Sequence, residues 1–90
     1  AFAVVLECIP ADLAAEITST LKIPTIGIGA GLDCDGQVLV WQDLLGMNTG
    51  FKPKFVRSYL NGGELIKGAL DKFHADVVGS KFPSSDEAYQ

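Results

Sequence analysis

The sequence predicts a parallel α/β architecture of about three strands with connecting helices, and three observations carry that reading. Phe2–Leu6 and Thr25–Ile28 are continuous apolar runs. Both are greasy on both faces, the pattern of parallel strands covered on either side. A single amphipathic segment lies between them, with roughly 18 residues from one run to the next. Strand, helix, strand in that order is a βαβ unit with a right-handed crossover.

The first run stops at Glu7, and Pro10 then suits the first turn of a helix. Asp12 is favourable near the positive end of the helix dipole. Leu13, Ile17 and Leu21 recur every fourth residue, so the helix is expected over roughly 10–21 with those three as its apolar stripe. Lys22-Ile23-Pro24 ends it, and Pro24 is acceptable at the threshold of the second strand. Gly27, Gly29 and Gly31 line a flexible turn after that strand. Val38–Trp41 is the expected third strand, with Asp43–Leu45 as a possible helical turn.

Pro53 opens a short helix expected over Lys54–Leu60, and Asn61-Gly62-Gly63 stops it. A longer helix is expected over about 64–78, with Ile66, Leu70, Phe73 and Val77 as its stripe and Gly79 as its cap. The division expected is a catalytic unit over 1–80 and a polar, loosely held tail over 81–90.

Composition excludes several function classes. The net charge is −4 with seven scattered Lys and Arg residues, so no basic patch offers itself to nucleic acid. No stretch approaches the ~18 apolar residues of a membrane helix. The N-terminal run lacks a basic flank and a small-residue cleavage site, and reads as a buried strand. Cys8 and Cys34 form no C-x-x-C pair, so reduced thiols in a cytosol-like compartment are expected. The chain has 90 residues and begins without Met, so further residues are expected upstream.

Glu7 is the first candidate for chemistry. A carboxylate closing an apolar strand sits at the carboxyl end of a parallel sheet, where α/β proteins build their sites. An apolar wall around such a group would strengthen it as a general base. The competing reading is a loop cap or a lysine partner. Gly27-Ile28-Gly29-Ala30-Gly31 is the second candidate. Its backbone N–H groups could approach an anion, which makes Gly29 and Gly31 candidate substrate-binding positions. It lacks the spacing and the following helix of a dinucleotide fingerprint. The competing reading is a tight turn packed closely against its neighbours.

Asp33, Asp35 and Asp43 read as solvated loop acids, since Asp-x-Asp alone is a weak metal signal. Cys8 and Cys34 each neighbour a carboxylate, which does not activate a thiol. His74 reads as a helix-surface residue, Trp41 and Phe55 as core, and Lys52 and Lys54 as solvated.

Several strings then gain meaning together: Leu6-Glu7-Cys8-Ile9-Pro10, Ile26-Gly27-Ile28-Gly29-Ala30-Gly31, Asp35-Gly36-Gln37-Val38-Leu39-Val40, Asp43-Leu44-Leu45-Gly46 and Pro53-Lys54-Phe55-Val56. In this order and spacing the chain resembles the C-terminal part of the ketopantoate hydroxymethyltransferase (3-methyl-2-oxobutanoate hydroxymethyltransferase) family. The resemblance implies the last strands and helices of a (β/α)₈ TIM barrel, which at about 250 residues does not close within 90. It implies hydroxymethyl transfer from 5,10-methylenetetrahydrofolate to 3-methyl-2-oxobutanoate, giving 2-dehydropantoate in pantothenate synthesis. Glu7 matches the family's proton acceptor. The family's Mg²⁺, chelated by the keto acid, is held by acids on earlier strands, so no metal ligand is expected in this chain. The family also implies a large homo-oligomer and a cytoplasmic or, in a eukaryote, mitochondrial enzyme.

The chain departs from the family pattern twice. Trp41-Gln42 precede Asp43 where a histidine is common, and the ending Glu87-Ala88-Tyr89 lacks the usual histidine and serine. Two hypotheses follow: part of a transferase, inactive alone, or a non-catalytic small α/β module that binds an anion or an assembly partner through the Gly27–Gly31 turn.

Overall fold

The computed structural model describes residues 1–89. Three strands, β1 (Val4–Glu7), β2 (Thr25–Ile28) and β3 (Gly36–Gln37), form one parallel sheet in the order β1-β2-β3. The register sets Val4 beside Thr25 and Glu7 beside Ile28. β1 therefore starts two residues later than the apolar run and takes in Glu7. Its ladder begins where the Val4 N–H donates to the Pro24 carbonyl (3.0 Å) and is closed by Cys8 N–H donating to the Ile28 carbonyl (2.9 Å).

Helix α1 (Ala11–Thr20) crosses between β1 and β2, as the periodicity requires. Its buried stripe is rotated from the expected one. Ala14 is fully buried, Ile17 packs beside it, and Leu13 and Leu21 stay exposed. A methyl side chain at 14 lets the helix lie close on the sheet, against Leu6 and Ala30, with Val4, Ile9 and Cys34 around them. Close approach then favours polar pairing at the helix end. The Thr18 hydroxyl donates to the Ala14 carbonyl (2.8 Å) and shares a hydrogen bond with the buried Thr25 hydroxyl (2.8 Å).

The third strand falls on Gly36–Gln37, not on Val38–Trp41. Val38 N–H still donates to the Gly27 carbonyl (2.9 Å), but β2 ends at Ile28 and offers nothing further along. Trp41–Leu44 form helix α2 instead. No helix forms over 54–60. Val56 closes a single turn onto Pro53 (3.0 Å), after which Tyr59 N–H donates to the Leu44 carbonyl (2.7 Å) and Gly62 N–H to Leu45 (2.7 Å). The Tyr59 N–H thus pairs with the end of α2 and not with a carbonyl one helical turn back, and Val56 is buried.

Helix α3 (Gly62–Val78) opens two residues earlier than expected. Its C-terminus carries two overlapping bonds, Lys81 N–H to the Asp76 carbonyl (2.7 Å) and Ser80 N–H to Val77 (3.1 Å). This is a Schellman motif, and its left-handed position is Ser80 (φ 58), one residue past the glycine expected there. Phe82 sets its ring edge-on to Phe73 with centroids 5.3 Å apart, and a 3₁₀ turn over Ser85–Glu87 starts with a Ser84–Glu87 capping box.

The three parallel strands and helices are those of an α/β fold, and they do not close a barrel. The radius of gyration is 21.4 Å, against about 12 Å for a compact domain of this length. Among the described residues the buried hydrophobic ones are Leu6, Ala14, Ala30 and Val56. The α3 stripe of Ile66, Leu70, Phe73 and Val77 remains exposed.

Candidate active site

Strand alternation places Glu7. Leu6 and Val4 pack toward α1, so Val5 and Glu7 project from the opposite face of the sheet. Glu7 closes β1 at the carboxyl edge, and its side chain is exposed. It takes part in no ion pair among the described residues, where Lys67–Asp71 on α3 is the salt bridge present. The apolar wall expected around Glu7 is not built by the described residues, since Val5 beside it on that face is 60% exposed. Cys8 follows with a left-handed backbone (φ 53), which turns the chain sharply so that Ile9 enters the core and Pro10 can open α1.

The glycine turn lies at the same edge, one strand over. Gly29 (φ 67) and Gly31 (φ 82) both adopt conformations that L side chains rarely take. Each is also crowded. A Cβ at Gly29 would come within 2.8 Å of the Phe55 ring, and one at Gly31 within 2.5 Å of the Ala11 methyl. The Gln37 amide donates to the Gly31 carbonyl (2.8 Å) and fixes the turn against β3. Turn geometry and close packing thus account for both glycines.

Beside this turn, at the carboxyl ends of β2 and β3, opens a concavity of about 610 Å³. Gly29 and Gly31 line it together with Leu39, Leu44, Phe55 and Arg57. Phe55, expected in the core, is a wall of this space. Arg57 and Tyr59 join the site although neither stands in a motif of the sequence. The Arg57 guanidinium lies 5.8 Å from the Tyr59 ring centroid and donates to the Tyr59 hydroxyl (3.2 Å). A signal was available, because Arg57 is the sole arginine and stands between two aromatics at alternate positions.

The acids separate by role. Asp35 is not simply solvated: its carboxylate accepts from the Thr25 N–H (2.8 Å) and clamps the start of β2. Asp43 accepts from the Asn48 amide, and its carbonyl accepts from the Ser58 hydroxyl (3.2 Å). Among the described residues no group of three or more His, Cys, Asp or Glu side chains is placed to hold a metal ion. Cys8 and Cys34 are free thiols, and His74 is exposed on α3. No helix among the described residues is long and apolar enough to cross a membrane.

Comparison with known proteins assigns a family. The family model described as ketopantoate hydroxymethyltransferase matches residues 1–85. A 3-methyl-2-oxobutanoate hydroxymethyltransferase of Bdellovibrio bacteriovorus is 66% identical over 89 residues, which is 99% of this chain and 34% of that protein. A second enzyme of that name from Bradyrhizobium diazoefficiens is 57% identical over 99% of this chain and 30% of its own length. One from Moorella thermoacetica is 55% identical over 99% of this chain and 33% of its own length. The chain spans about one third of the length of the curated relatives it matches. With a family match running through strands, glycine turn and long helix alike, the chain belongs to the ketopantoate hydroxymethyltransferase family.

Proposed function

We propose that this chain supplies the proton-accepting carboxylate of a hydroxymethyl transfer from 5,10-methylenetetrahydrofolate to 3-methyl-2-oxobutanoate, giving 2-dehydropantoate. The observation that carries the reading is the place of Glu7: last residue of β1, at the carboxyl edge, on the sheet face turned away from α1. In a closed barrel that face is the interior, and that edge is where catalytic groups stand. The relatives' names supply the reaction class.

The chemistry asks for a base beside an acidic C–H. Glu7 takes the proton from C3 of the keto acid and holds it on its carboxyl group. The enolate carbon bonds to the one-carbon unit, and water supplies the hydroxyl oxygen as tetrahydrofolate leaves. The metal that polarises the carbonyl would be held outside this chain, as would the lid of apolar groups that dries Glu7. Homo-oligomerisation belongs to the same proposal, since the exposed α3 stripe requires a cover.

A full-length hybrid tests it, in which residues 1–90 replace the matching third of the Bdellovibrio bacteriovorus relative. Transfer of a labelled one-carbon unit to the keto acid is expected from the hybrid and lost with Glu7→Gln. Equal transfer by both would overturn the reading.

A further inference from the structure

The concavity beside the glycine turn has features that proton abstraction leaves unused. At about 610 Å³ it lies within the roughly 300–1,000 Å³ of pockets that enclose drug-sized molecules. A five-carbon keto acid is far smaller than that, whereas a folate is of that size. Leu32, Leu39, Leu44 and Phe55 make its walls apolar and aromatic. Arg57 supplies its cation, in a chain whose net charge is −4. Among the described residues this guanidinium has no carboxylate partner. Tyr59 instead braces it, by its ring face and by one hydrogen bond to its hydroxyl. A guanidinium carries five donors in a rigid fork, so the brace fixes its direction and leaves donors free for a planar anion.

An apolar, aromatic wall ending in an oriented arginine suits a ligand with a flat ring system and a terminal carboxylate. We propose that this concavity binds the pteroylglutamate donor, with its ring portion along Phe55 and its glutamate carboxylates on Arg57. The inference rests on the function proposed above and deepens it: Glu7 serves the keto acid, and Arg57 serves the folate.

The test is binding of tetrahydrofolate to the full-length hybrid, followed by fluorescence, with tetrahydropteroate, which lacks the glutamate, as the paired probe. Arg57→Met is expected to weaken tetrahydrofolate roughly tenfold, as loss of a charge-assisted pair would. Tetrahydropteroate affinity and the KM for the keto acid should stay within about twofold, given that neither probe nor acid reaches Arg57 by this pairing. Arg57→Lys should recover part of the loss, and Lys67→Ala on α3 should have no effect. Unchanged tetrahydrofolate binding in Arg57→Met, an equal loss for both probes, or no folate binding by the unaltered hybrid would each overturn the inference. Proton exchange at C3 of the keto acid separates the two ideas. Exchange that depends on Glu7 while Arg57→Met is silent removes the folate site alone. Exchange indifferent to Glu7 with a selective Arg57→Met defect removes the base assignment alone.

Discussion

Thr25 and Asp35 hold one another by both backbone and side chain. The Thr25 N–H donates to the Asp35 carboxylate at 2.8 Å, and the Asp35 N–H donates to the Thr25 hydroxyl at 3.2 Å. Thr25 is fully buried, so its polar groups depend on these bonds. Asp35→Ala in the full-length hybrid should cost about 1–3 kcal/mol, the penalty for stranding buried donors. The pair sits at the amino end of β2, so transfer activity per folded molecule should hold. Thermal denaturation checks the first expectation, and a loss of activity without loss of stability would contradict the second.

Glycine substitutions should divide sharply. Gly29→Ala and Gly31→Ala place a Cβ at positive φ against Phe55 and Ala11, and should destabilise by about 1–3 kcal/mol each. Gly68 lies within α3 with open space around it, so Gly68→Ala should stabilise by roughly 0.5–1 kcal/mol. Denaturant midpoints of the three variants, made in the full-length hybrid, should fall on opposite sides of the parent.

Glu87 should titrate below the usual carboxylate range, because the Ser84 N–H and then the Ser84 hydroxyl donate to its carboxylate. A depressed folded pKa means that this cap contributes at pH above the unfolded value. The contribution is lost as pH falls through the lowered folded value. A carboxyl-carbon NMR titration of Ser84→Ala, which removes the hydroxyl and keeps the N–H, should show Glu87 moving part of the way back up. An identical curve in parent and variant would show that the hydroxyl does not contribute.

These outcomes also mark how far the sequence could be read. Thr25–Ile28 was legible to the residue, because a β-branched apolar run between Pro24 and a glycine turn has few other uses. The place of Glu7 at the end of a strand was legible because a charge that ends such a run has to meet an edge. Val38–Trp41 misled, since apolar content marks a strand only while a partner strand continues, and β2 stops at Ile28. Lys54–Leu60 misled for the opposite reason: Leu44 and Leu45 offered carbonyls from another segment. The concavity was illegible, because Leu32, Leu44 and Arg57 converge only once the turn at Gly29 and the strap over 59–62 are in place.

The isolated 90-residue chain should be marginal. It leaves three short strands with unpaired edges and a long helix whose apolar stripe is exposed. Urea titration followed by circular dichroism should show gradual loss of helix, with no single transition. A cooperative transition of a monomer would contradict this.

The most direct test of Glu7 as the base is exchange of the C3 proton of 3-methyl-2-oxobutanoate with solvent deuterium, read by NMR in the full-length hybrid. Glu7→Gln keeps the size of the side chain and removes its basicity. Exchange is expected to fall by about 10²–10⁴-fold, the usual worth of a positioned base, while affinity for the keto acid stays within about twofold. Exchange by Glu7→Gln at the parent rate would contradict the assignment of Glu7 as the base.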